Sequence, residues 1–154
     1  KPHRGCYVTE LSERDLDEIF PVMALLEGRC AAEAAAKASP ADIARLSEIH
    51  EALEQHAAAN DADRFFDANQ RFHSALQELA GNNWLRQLIE ETRKFIKLTR
   101  RDSLNLEGRL KQSLNEHRAI LAAIRRGDAD LAAALMHDHI LSGRTAVAHL
   151  QTAR

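Results

Sequence analysis

Aromatic residues are scarce in this chain: one Trp, one Tyr and five Phe, 5% of the sequence. β-Branched residues are also few while alanine is abundant, so strand-forming character is low and helix propensity is high. An all-α fold is expected. Cysteine is nearly absent. Cys6 and Cys30 are the only two, one near the start and one inside a helical stretch, which excludes a disulfide framework and suits a reducing, cytoplasmic compartment. No charge of one sign dominates. The net charge of −2 and pI near 6.5 exclude the basic footprint of a nucleic-acid surface. No apolar run approaches membrane-spanning length, and no signal peptide is visible. What remains is 154 residues with 45% hydrophobic and 29% charged side chains. That is enough chain for one domain that buries roughly 70% of its unfolded surface and can own an interior site.

Helix punctuation divides the chain clearly. Ser12 with Glu13 and Asp15 starts a helix that runs to about Ala38, with Pro21 inside it as a kink or restart. Ser39-Pro40 starts a second helix, with Ile43, Leu46, Ile49 and Leu53 on one face, broken at Asn60-Asp61. A third spans about Ala62 to Ala80, ended by Gly81. Asn82-Asn83 caps a fourth from Trp84 to about Arg101. A fifth runs from about Leu110 to Arg126, ending at Gly127, and Asp128 caps a sixth from Ala129 to about Leu150. Short connections between six or seven helices predict an antiparallel bundle. Residues 1–10 read differently. Cys6 to Thr9 has strand character, and one short strand cannot stand alone.

Three histidines interrupt apolar stripes. Residues three or four apart share a helix face, which groups Phe66, Asn69, His73, Leu76 and Ala80 on the third helix. Leu110, Leu114, His117, Leu121 and Ile124 group on the fifth, and Leu131, Leu135 and His139 on the sixth. His137 points away from the direction of His139. One buried histidine is usually a core residue bonded to a carbonyl. Three on separate stripes, with Asn69 one turn before His73, also suit a metal held inside a bundle, because unpaired buried imidazoles cost stability. Both readings are open at this point. His3 falls in the N-terminal segment, and His50, His56 and His149 read as surface or rim positions. Lys94, Lys97, Arg100 and Arg101 read as a solvated basic face, the alternative being that one arginine turns inward to meet an anion.

The segment Asn69-Gln70-Arg71-Phe72-His73 with Ala80-Gly81-Asn82 resembles the "D/N-x-x-F-H … A-G-N" segment of FCD domains. These are the ligand-sensing domains of GntR-type transcription regulators of the FadR/VanR subfamily. Glu116-His117-Arg118-Ala119-Ile120, Ala123-Ile124, Gly127-Asp128, Ala133 and Met136 to His139 resemble the family's "E-H-x-x-I … A-I … G-D … A … M-x-x-H" stretch. The resemblance covers nearly the whole chain. It implies a divalent metal, zinc first with nickel or manganese as alternatives, held by Asn69, His73, His117 and His139 at the base of a cavity. It further implies a small carboxylate effector, a homodimer, and DNA contact only through a separate N-terminal domain. Arg4 to Val8 resembles the last strand of that winged-helix domain, so residues 1–10 are expected to be its end and a linker, and 11–154 the sensing domain. Two departures stand out. Asparagine replaces the family's frequent aspartate at position 69, and Met23 stands where the family often carries an effector-facing arginine, with Arg29 further along. Either the effector is less acidic or Arg100 substitutes as the effector contact. A helical metallohydrolase using the same histidines is the alternative function. It lacks an HExxH motif, and Glu116 lies roughly 100° around the helix from His117.

Overall fold

The computed structural model describes residues 11–152, apart from the side chain of Leu98. The strand and winged-helix remnant expected over 1–10 lie outside the described residues. Within them the protein is all-helical: α1 (Glu13–Lys37), α2 (Pro40–Ala58), α3 (Ala62–Ala80), α4 (Asn83–Ser103), α5 (Arg109–Arg125) and α6 (Ala129–Thr152). Each boundary has a local cause. Ser12 and Ser39 open α1 and α2 with capping boxes, their hydroxyls accepting from the amides of Asp15 and Asp42 at 3.1 Å. Asp61, Asn82 and Asp128 accept from the amides of Arg64, Leu85 and Leu131. Gly81 and Gly127 stop α3 and α5 at φ of 63° and 68°, where other residues are strained.

Pro21 does not restart α1. The helix runs unbroken across it, because proline sits on the exposed side while Phe20, Met23 and Ala24 on the other side are fully buried. Packing of that face offsets the lost backbone bond. The buried face of α1 lies mainly on α6. Small residues allow the close approach: Ala24, Ala31 and Ala34 from α1 and Ala132 and Gly143 from α6 are buried. At Gly28 an added Cβ would lie 3.1 Å from the Ala133 carbonyl oxygen. The high alanine content therefore sets helix separation as well as helix propensity.

Two sequence expectations need correction. The inward face of α6 is Ala132, Met136, His139, Ile140 and Gly143, whereas Leu131 and Leu135 are only partly buried at its margin. His50 is not a surface residue; it is 9% exposed, between Leu46 and Leu53 on the inner face of α2. Ile43 of that face is only partly buried. Burial is the main reason the His50 imidazole titrates below its ordinary 6.5, with Arg118 and Arg125 assisting and Glu54 opposing. The unfolded chain thus takes up this proton at a higher pH than the folded one. Stability is lost as pH falls through the ordinary value toward the folded one. His50→Leu is expected to lose less stability than the wild type between about pH 8 and 5, measured by urea denaturation; an equal loss in both would contradict this account of the site.

Candidate metal centre

His73 on α3, His117 on α5 and His139 on α6 converge in the interior, at 1%, 0% and 2% exposure. Their ring centroids lie 5.5 Å (His73–His117), 5.5 Å (His73–His139) and 4.5 Å (His117–His139) apart. One nitrogen from each lies within 4.8 Å of the others. Phe65 and Phe72 set their edges against His117 and exclude water from one side.

The outer nitrogens explain the orientation of the rings. His117 Nδ1 lies 2.7 Å from the Ser113 carbonyl oxygen, one turn back on α5. His139 Nδ1 lies 3.1 Å from Glu116 Oε1, and His73 Nδ1 lies 3.1 Å from Glu27 Oε1 on α1. The Nδ1 atoms of His117 and His139 are thus hydrogen-bonded, whereas His73 Nδ1 is close to Glu27 without a hydrogen bond. The Nε2 atoms of His117 and His139 are buried without a hydrogen-bond partner. His73 Nε2 lies 3.1 Å from Asn69 Oδ1. Holding one ring nitrogen by a carboxylate or carbonyl and leaving the other free is how proteins present imidazole to a metal.

All three imidazoles are held neutral, the form that ligates. Burial pushes the His73 pKa down to about 3, helped by Arg93 and opposed by Glu27. Burial, then the other two imidazoles, holds His117 well below its usual range. Burial also lowers His139 against the pull of Glu116. A neutral His73 has one N–H for two neighbouring oxygens, Glu27 Oε1 and Asn69 Oδ1. With the proton on Nε2, it donates to Asn69 Oδ1; with the proton on Nδ1, the Nε2 lone pair and the Asn69 oxygen are two donors that a cation can bridge. The buried Nε2 atoms, the neutral rings and Asn69 Oδ1 fit a divalent ion such as zinc, which takes nitrogen and oxygen ligands.

Glu27, Arg93 and Arg109 are charged residues at this centre that the sequence does not single out; Glu116 it does. Glu27 is 2% exposed and ion-paired with Arg93 of α4, which also donates to Gln70 at 2.5 Å. Burial opposes ionisation of Glu27, yet Arg93 and His73 outweigh it and hold the carboxyl well below its ordinary value. Glu116 is likewise held low, burial being outweighed by His139 and Arg109, whose Nη1 lies 2.9 Å from Oε1. Glu116 does lead away from His117, but toward His139, so it supports a neighbouring ring. A glutamate at position 27 on an otherwise apolar stripe was the one readable signal for this layer.

Arg100 is the member of the basic run that turns inward, whereas Lys94, Lys97 and Arg101 are exposed. It lines a cavity with Asn69, His139, Arg109 and Gly143. Burial, then Arg93, lowers its pKa to about 10, so it stays charged. Met23 is fully buried, and Arg29 is outside, paired with Glu33 at 2.5 Å. The inward positive charge therefore comes from α4 and α5. His137 is partly exposed beside Asp138, away from the centre.

A family model described as the FCD domain matches residues 18–142. The chain belongs to the FCD domain family. This FCD domain is 25% identical over 130 residues to a Bacillus subtilis (strain 168) protein named "Uncharacterized HTH-type transcriptional regulator YdhC", covering 83% of this chain and 58% of that one. Its fold is similar to Escherichia coli McbR/YncC, with a TM-score of 0.82 at 20% identity over 91% of this chain and 67% of that one. It is also similar to a Streptococcus agalactiae GntR, with a TM-score of 0.75 at 26% identity over 92% and 63%. The chain thus spans about three-fifths to two-thirds of these relatives. No helix among the described residues is long and apolar enough to cross a membrane.

Proposed function

We propose that this FCD domain is the metal-dependent sensing part of a GntR-type transcription regulator of the FadR/VanR type. A divalent ion, zinc first, is held by Asn69, His73, His117 and His139, and a small carboxylate completes its coordination. Effector binding alters how a winged-helix domain N-terminal to it is presented to DNA in a homodimer. The observation that carries this is the convergence of the three buried rings, one nitrogen of each within 4.8 Å of the others, with the Nε2 atoms of His117 and His139 unpartnered. Charge supports the class of effector. Glu27 offsets Arg93 and Glu116 offsets Arg109, which leaves the ion and Arg100 as uncompensated positive charge beside one cavity. For the dimer, Trp84, Leu88 and Phe95 line one exposed face of α4. An apolar area of this kind suits a second copy.

The hydrolase alternative needs a base with a pKa near neutrality. Glu27 and Glu116 instead sit behind the rings, ion-paired and titrating low. Titration calorimetry tests the sensing reading. Zinc-loaded protein is expected to bind acetate or citrate, and metal-free protein is not; equal binding by both would contradict it. Asn69→Asp adds an anion to the first coordination layer. It is expected to tighten zinc binding and weaken carboxylate binding by the same method, and the reverse order would sink the charge argument.

A further inference from the structure

The cavity beside Asn69 and His139 has a volume of about 20 Å³, room for about one water molecule. A carboxylate does not fit until something moves. His139 and Asn69 belong to the metal set, and Phe66 and Leu104 are buried apolar walls. The long, flexible walls are Arg100 and Arg109. Arg109 differs from Arg100 in one respect: it also lines an outer pocket of about 290 Å³, between the loop after α4 and the Ser142, Thr145 and His149 side of α6. Among the described residues no other lines both spaces. Arg109 is 6% exposed, its Nη1 is held by Glu116 at 2.9 Å, and its Nε is buried without a partner.

We propose that Arg109 is a gate, latched by Glu116, which divides the histidine chamber from the outer pocket and which an acidic ligand opens by taking Arg109 from Glu116. This rests on the sensing function proposed above. Arg109 trades one carboxylate for another, while Glu116, with a side chain 20% exposed, loses its cation and keeps its contact with His139 Nδ1. Swinging Arg109 outward to meet the ligand's acid group joins the two spaces and opens the way from the outer pocket to the centre.

Diethyl pyrocarbonate, which acylates accessible neutral imidazole, tests the gate in metal-free protein. Peptide mapping is expected to show His117 and His139 reacting about tenfold faster or more in Arg109→Ala than in wild type, as local opening ceases to limit access. His137, partly exposed beside Asp138 and away from both spaces, keeps its rate. Glu116→Gln, which releases the latch yet still offers an oxygen to His139, is expected to give the same acceleration and serves if Arg109→Ala does not fold. Unchanged rates at His117 and His139 in the folded variant would overturn the gate. This arm needs no metal, so it decides independently of the sensing reading. In a second arm, zinc-loaded Glu116→Gln is expected to take up acetate faster than zinc-loaded wild type, and slower uptake would overturn the exchange. Failure of the wild type to retain zinc would instead count against the sensing reading and leave the first arm decisive.

Discussion

His117→Leu is expected to abolish the stabilisation that zinc confers while leaving the metal-free protein folded. His117 is fully buried, with Nε2 unpartnered and Nδ1 on the Ser113 carbonyl. An unsatisfied buried polar atom costs about 1–3 kcal/mol. Leucine removes that cost and nearly conserves volume among Phe65, Phe72 and the other two imidazoles, although it leaves the Ser113 oxygen without this partner. The two changes largely offset each other in metal-free protein. With zinc the balance differs. An ion present at a hundredfold excess over its dissociation constant adds about 2.7 kcal/mol to a protein that binds it only when folded. For a chain of this size that raises Tm by about 5–11 °C. The wild type should show that rise in thermal melts and His117→Leu should not. A similar rise in both would mean that zinc binds elsewhere.

Arg93→Met is expected to be the most destabilising single change outside the three histidines. It strands Glu27, a carboxylate with 2% exposure that Arg93 and His73 keep ionised. Breaking a buried ion pair from one side costs about 3–5 kcal/mol because the remaining charge is uncompensated. Arg93 also joins α1 to α4 and donates to Gln70 on α3, so three helices lose a common anchor. Combining it with Glu27→Gln removes the stranded charge and should recover much of the loss. Urea denaturation checks both. A cost under about 1 kcal/mol for Arg93→Met, typical of an exposed pair, would show that Glu27 finds other compensation.

The pattern of helix starts and stops was legible because caps are local. Ser12, Ser39, Asn82 and Gly81 act on amides or carbonyls within a turn, and all four stand at helix ends in the structure. The inward direction of His73 and His117 was legible for a related reason, since their stripes are long and unambiguous. On α6 the apolar pattern misled. Leu131 and Leu135 are larger than Ala132 and Gly143, but the inner face takes the small residues because α1 approaches too closely for leucine. Size at a close helix contact overrode hydrophobicity. His50 was misplaced because a polar residue beside Ile49 on a short amphipathic face gives no sign of its depth.

The layer behind the histidines was the least legible part. Glu27 is 46 residues from His73 in sequence, and Glu116 is 23 residues from His139. No periodicity links such pairs; only the packing of α1 on α3 and of α5 on α6 brings them together. Likewise nothing local distinguishes Arg100 from Arg101. One turns inward beside Gly143, where a Cβ would lie 3.9 Å from its Nε, and the other pairs outside with Asp63.

The central claim is that three imidazoles and an amide oxygen hold a divalent ion inside this bundle. X-ray absorption at the zinc edge of the zinc-loaded protein tests it most directly, because it reports the donor atoms themselves. The account predicts only nitrogen and oxygen at about 2.0–2.2 Å, with the outer-shell scattering of about three imidazole rings. Sulfur scattering at about 2.3 Å, or a spectrum without imidazole, would contradict it.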